Sequence, residues 1–423
     1  MKKKYRGWLV AALVLNIVVL LGYGIYYYRD RLPENILIIT GEEQKLSFRL
    51  PISAEIESDS VGVLEVNKEP LEKGSIKIDL SDAITMEATE KTDATMEVKL
   101  FGFIPLKKVE ITAVSPQSVV VGGSAIGIHV ETNGILVLGT TTVTGDDKMT
   151  YEPAENRLKS GDYIVEVNGQ TMTEKEDLIK LLAESDGSVL QCKIRRGKEI
   201  MDTAVTPVRT ADGSYKIGTW IRDDTQGIGT LTYITPDGKF GALGHGITDV
   251  DTGVLMEVDG GNAYDAEILR IIKGEPGTPG ELSGVIHRDE NERLGTVSKN
   301  TAQGIFGTVK ENCKLQADGK IYEVGFKQEV KKGKATILCE INGNVNEYEI
   351  EIQQVDYSNK NHAKGLVIKI TDENLLELTG GIVQGMSGSP IIQNGKLIGA
   401  VTHVFIRDST KGYGTFIENM LQN

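Results

Sequence analysis

The stretch Gly385-Met386-Ser387-Gly388-Ser389-Pro390 runs directly into Ile391-Ile392 and then Gly395-Lys396-Leu397-Ile398-Gly399. A serine between two glycines can occupy a tight turn with its Oγ exposed. The flanking backbone N–H groups then point to where an oxyanion would form. The apolar runs on either side of Asn394-Gly395 predict a strand pair around a turn. An ordinary Gly/Ser/Pro hairpin with no chemistry would carry the same residues. The loop therefore needs partners elsewhere in the chain.

Serine is a weak nucleophile and needs a neighbouring base. The chain has five histidines, His129, His245, His287, His362 and His403. His245 lies in Phe240-Gly241-Ala242-Leu243-Gly244-His245-Gly246-Ile247-Thr248-Asp249, where flanking glycines leave the ring accessible. It is the favoured base. His403, in the apolar run Val401-Thr402-His403-Val404-Phe405, reads as a structural histidine, with the base as its lesser alternative. His129, His287 and His362 receive no role. A third group should fix the imidazole tautomer. Asp372, Asp249 and Asp251 are candidates, and spacing does not choose among them.

The serine loop resembles the nucleophile loop of chymotrypsin-like serine proteases. Together with Gly241–Asp249, Gly380–Phe405 and a preceding PDZ-like segment, it resembles the SpoIVB-type serine peptidases of endospore-forming bacteria. The resemblance covers most of the chain beyond about Pro116 and is weakest over Arg31–Val114. It implies a chymotrypsin-like double β-barrel in which Ser387 is the nucleophile, His245 the base and Asp372 the acid. The N–H groups of Gly385 and Ser387 would form the oxyanion hole. It further implies action between the two membranes around a developing forespore. There the family cleaves itself in its N-terminal region and cleaves a regulatory membrane protein, releasing an intramembrane protease that activates a late sigma factor. Two departures stand out. Asp372 lies close ahead of the serine loop, whereas the chymotrypsin acid lies much further ahead, and the histidine motif differs from the usual Ala-Ala-His-Cys form.

With 423 residues the chain has room for two or three domains. Its 46 basic and 60 acidic residues give a net charge of −14, which disfavours nucleic acid as a partner. Forty-eight glycines and 6% aromatics suit a turn-rich, mainly β protein. Cys192, Cys313 and Cys339 form no metal-like spacing, and no disulfide framework, metal site or cofactor is expected.

Lys2, Lys3, Lys4 and Arg6 precede an apolar run from Trp8 to Ile25, interrupted by Asn16 and flanked by Tyr23, Tyr26, Tyr27 and Tyr28. This is long enough to span a bilayer, and the basic flank keeps the N-terminus cytoplasmic. No A-x-A cleavage site follows, so residues 1–30 read as a signal anchor with the remainder extracytoplasmic. Residues 31–114 contain short apolar runs (Ile36–Ile39, Leu46–Leu50, Val98–Phe101, Val109–Val114) that predict a small β region. Its charged loops Glu69–Lys73 and Glu87–Asp93 are either solvated turns or self-cleavage sites. Residues 115–210 resemble a PDZ domain. Ala125, Ile126, Gly127 and Ile128 resemble its carboxylate-binding loop, Asn156–Gln170 the following strand and turn, and Lys175–Ala183 a helix with Leu178, Leu181 and Leu182 on one face. Residues 211–423 are left for the peptidase domain. In that domain Gly274–Glu281 is a loop that borders the cleft or links the barrels, and Glu373–Leu378 a short helical turn. The rival reading is a PDZ-bearing scaffold whose protease fold is inactive.

Overall fold

The computed structural model describes residues 2–48, 50–60, 62–71, 74–358 and 361–423. Arg49, in one expected strand, and Glu72 and Lys73, in one expected cleavage loop, lie outside them. The N-terminal helix spans Lys2–Arg31, and its apolar segment is exposed along its length. Mean hydropathy peaks at 2.3 within Tyr5–Arg31, which is consistent with membrane anchoring.

The small β region holds two sheets. One has five strands in the order Asn35–Ile39, Ile104–Val114, Asp93–Leu100, Ser53–Ser58, Gly74–Asp79, and the other has four. Alternation is clean along Asp93–Leu100, where every second side chain from Ala94 to Leu100 enters the core. This unit docks on the C-terminal part of the chain. Lys327 Nζ donates to Asn35 Oδ1 at 2.6 Å and pairs with Glu418 at 3.0 Å, both charged side chains being fully buried. Such a pair persists only because each charge has further partners, and here the Lys327 N–H also donates to Glu418.

Two closed rings follow. The strands Ala125–Thr140, Thr219–Ile234, Lys239–Ala242, Val258–Ile272, Arg293–Thr301 and Gly304–Val309 pair in the order 1-2-3-6-5-4 and back to 1. The strands Gly333–Glu340, Val345–Val355, Leu366–Ile370, Pro390–Gln393, Lys396–Phe405 and Asp408–Phe416 close in the same order. Every pairing in both rings is antiparallel. Each barrel fills with its own aliphatic cluster, around Ile128, Leu231 and Ile305 in the first and Ile337, Ile368 and Ile391 in the second. The expected double β-barrel is thus present, and the expected helical turn forms a helix, Glu373–Thr379.

The domain boundary differs from the sequence reading. Ala125–Glu131 lies inside the first barrel, paired on one side with Asp224–Thr230 and on the other with Gly260–Asp265. The PDZ-like unit is therefore an insertion between the first and second strands of that barrel. Both strands run on into it, through Leu136–Thr140 and Thr219–Arg222. The expected peptide-binding loop at Ala125, Ile126, Gly127 and Ile128 is not a loop. Ala125, Ile126 and Ile128 are buried, and a Cβ on Gly127 would lie 2.2 Å from Ile286 Cγ2. Gly127 is glycine because a neighbouring strand crosses it, not because a carboxylate approaches it.

Candidate active site

Each barrel presents a loop after its third strand. In the first barrel this loop carries His245; in the second it carries Ser387. The loops meet across the cleft. Gly388 fits only as glycine, since its φ is +96° and a Cβ would lie 2.1 Å from Thr230 O and 2.5 Å from Leu243 N. The first barrel also grips the serine loop directly. Thr230 N donates to Ser387 O at 2.9 Å, Thr230 Oγ1 to Gly385 O and Thr232 Oγ1 to Gly388 O, both at 2.8 Å. The expected cleft loop Gly274–Glu281 lies on the other flank, where Gln384 N donates to Gly280 O and Leu282 N to Gln384 O. Among the described residues no backbone acceptor meets the N–H groups of Gly385 and Ser387. An oxyanion hole needs donors left open in this way.

Ser387 Oγ donates to the carbonyl of Thr402 at 2.7 Å. His245 lies beside the next residue, its ring 4.6 Å from that of His403 at 35°. Serine and histidine thus flank the same dipeptide, Thr402-His403, without bonding each other. His245 Nδ1 is 2.9 Å from its neighbour's carbonyl, Gly246 O. A carbonyl only accepts, so Nδ1 carries the proton and Nε2 of the neutral ring is left as the acceptor, the tautomer a general base requires. Burial pushes His245 below its ordinary value, with the Gly246 bond partly opposing. His403 is pushed down to about 4, chiefly by burial and also by His245 and Lys364. Both rings are neutral at pH 7.

The candidate acids lie elsewhere. Asp372 caps the helix Glu373–Thr379, accepting from Leu375 N at 3.0 Å and from Glu349 N at 3.3 Å. An aspartate immediately before a helix is the usual residue for that task. Asp249 is buried and faces Arg222, which also binds Asp251 at 2.9 Å, while Asp249 Oδ1 accepts from Asp251 N and Thr252 N. The structure therefore brings none of the three carboxylates to His245. Arg222 and Asn300 fix the loop that follows it. Asn300 accepts from Ile247 N and donates to Ile247 O and Met256 O, each at 2.8 Å. Sequence reasoning missed Arg222, Asn300, Thr230, Thr232 and the position of His403. None carries a local signal, because each acts across strands distant in the chain.

The inserted unit has a groove elsewhere. About 1000 Å³ lies between the helix Lys175–Ala183 and the edge strand that starts at Thr219, lined by Leu178, Ile179, Leu182, Ile217, Trp220 and Ile221. Thr219–Arg222 pairs with Leu136–Thr140 on one side, and among the described residues no strand covers its other edge. Gly218, at φ +66°, stands at the head of this strand against Thr141 O. The segment Ile217-Gly218-Thr219 shares with Ile126-Gly127-Ile128 a glycine that follows an isoleucine.

Residues 213–421 match the family model described as SpoIVB peptidase S55. Among solved structures, the chain is similar to the PDZ domain of the SdrC-like protein Lmo2051 from Listeria monocytogenes, at 19% identity, covering 21% of this chain and 87% of that one with a TM-score of 0.17. It is also similar to an inactive mutant form of Rv3671c from M. tuberculosis H37Rv, at 14% identity, covering 46% of this chain and 80% of that one with a TM-score of 0.24. No curated protein matches.

Proposed function

We propose, from the match of residues 213–421 to the SpoIVB peptidase S55 family, that the chain is a membrane-anchored serine endopeptidase whose nucleophile is Ser387 and whose base is His245. The observation that carries this is the placement of these two residues after the third strand of two barrels of identical strand order, on either side of Thr402-His403. In the resting geometry the Ser387 hydroxyl is parked on Thr402 O. A turn about its side-chain torsion releases it toward Nε2 of His245. The Oγ–H proton passes to Nε2 as Oγ bonds the scissile carbonyl carbon. The resulting oxyanion takes the open N–H groups of Gly385 and Ser387. The Nε2 proton then goes to the leaving amine, and water releases the acyl group by the same steps. Gly246 O holds the tautomer, a role that the resemblance gives to Asp372.

The family setting supports a forespore role on the extracytoplasmic side of the membrane. The proposed substrates are the chain's own N-terminal region and a regulatory membrane protein of an intramembrane protease complex, leading to activation of a late sigma factor. The rival, an inactive scaffold, draws its support from the Ser387–Thr402 bond. A fluorophosphonate probe on full-length protein decides between them. Ser387 is expected to be labelled, with labelling and N-terminal shortening both lost in Ser387→Ala. The labelling rate should follow a pH limb below 6.5, since burial lowers His245 and keeps the base form at lower pH. Unlabelled parent protein, or shortening that persists in Ser387→Ala, rejects the assignment.

A further inference from the structure

The small β region stands against the end of the N-terminal helix. Ile25 and Tyr28 pack on its core, Leu32 is buried, and Lys107 Nζ donates to Leu32 O at 2.9 Å. From there the strand Asn35–Ile39 runs away from the helix, parallel to Glu110–Val114. The other end of that neighbouring strand must therefore point back along the helix, toward its apolar run. Ile104 at that end packs on the same core as Ile25, so helix and hairpin descend side by side.

The hairpin ends in Phe101-Gly102-Phe103, with Leu100 paired to Ile104. Phe101 is 66% exposed and Phe103 73%, and their rings lie 6.4 Å apart. Phe101 has φ +55°, a backbone region that favours glycine or asparagine. Two aromatic rings are thus displayed to solvent at a turn that suits small polar residues. Depth can be estimated from register. Lys107 reaches Leu32, and because Leu100 pairs with Ile104 both rings of the tip lie about four residues further along the hairpin, about 13 Å at the strand rise. The same distance back along the helix is about nine residues. This brings the tip level with Tyr23 and the last residues of the apolar run. Aromatic side chains are the residues that favour this depth, between headgroups and acyl chains.

We propose that Phe101 and Phe103 insert into the surface of the bilayer that the N-terminal helix spans, as a second membrane contact. The proposal rests on the anchoring reading of that helix. It goes beyond that reading, because two points of attachment stop the β region from turning about the helix axis. The occupant is lipid, since the tip continues the membrane-facing end of an apolar helix.

Full-length protein in vesicles of phosphatidylcholine and phosphatidylglycerol, with and without chain-brominated lipid, tests this through single-tryptophan variants. The first combines Trp8→Phe, Trp220→Phe and Phe103→Trp. The second replaces Phe103→Trp by Tyr23→Trp as a depth marker. The third, Trp8→Phe alone, reports on Trp220, which is 66% exposed in the inserted unit. Bromine is expected to quench the tryptophans at 23 and 103 at least twofold and to leave Trp220 unchanged. Quenching at 23 but not at 103 overturns this proposal and leaves the anchor standing. Absence of quenching at 23 removes the anchor and the proposal with it. Disulfide dimers of Phe103→Cys forming in the vesicles would assign the tip to a second copy of the chain and overturn lipid as its occupant.

Discussion

In the first barrel, the loop after the third strand is held from its own side of the cleft. Arg222 pins Asp249 and Asp251, and Asn300 clamps Ile247 and Met256. In the second barrel, the equivalent loop is held from both sides, by its own barrel through Gly388 N to Val401 O and Val401 N to Ser389 O, and from across the cleft by Thr230 and Thr232 of the first and by the close approach of Gly388 to Leu243. The strand order is the same in both, so topology does not dictate the difference. The histidine loop takes its polar contacts from the first barrel and the strand that leads into the insert, whereas the serine loop takes them from the facing barrel as well as its own. The contact between the barrels therefore bears on the position of the Gly385 and Ser387 N–H groups as well as on the approach of Ser387 to His245.

Gly388→Ala attacks that contact and should have the largest effect. Its Cβ would displace the loop by at least an ångström, and a shift of that size costs about 10²-fold in rate. kcat/KM on a short peptide should fall at least that far while the circular dichroism of the barrels persists. Activity near the parent's would mean that the cross-barrel contact does not set the serine. Arg222→Ala attacks the other loop. It leaves Asp249 buried without its cation, a loss of about 3 kcal/mol at most given the partly exposed arginine. Denaturant unfolding should show that loss, and Asp249→Ala added to it should restore part of it. A single variant as stable as the parent would show that the ion pair does not hold the loop. Asp372→Asn should have the smallest effect. Asparagine keeps the cap from Leu375 N but loses the second acceptor facing Glu349 N, so stability should fall by about 1 kcal/mol at most and kcat should change by less than about threefold. A triad acid treated in this way would lose about 10⁴ in kcat, and that outcome would bring Asp372 to His245 in the working enzyme.

The candidate pair Ser387 and His245 was legible because each sits in a short run of glycines that few other roles require. Fold class was legible from composition and from strand-length apolar runs. The ring order was not, since it depends on pairings between strands far apart in the chain, such as Lys239–Ala242 with Ile305–Thr308. The expected peptide loop fell on a barrel strand for a specific reason. Gly127 and Gly218 each follow an isoleucine, but one glycine yields to a crossing strand and the other to a carbonyl at the head of an exposed edge. Asp372 was read from a resemblance, and its local signal, a carboxylate just before a short amphipathic segment, is that of a helix cap.

The continuity of Ala125–Thr140 and Thr219–Ile234 through barrel and insert also has a kinetic meaning. Glu131 must find Asp224 for the first ring to close, and the whole inserted unit separates them. Closing so long a loop in an unfolded chain carries an entropic cost that grows with its length and slows assembly. An insert that folds first removes the delay. Its own pairing of Leu136–Thr140 with Thr219–Arg222 delivers the two barrel strands already side by side and in register. The inserted unit then doubles as the hairpin turn from which the first barrel grows.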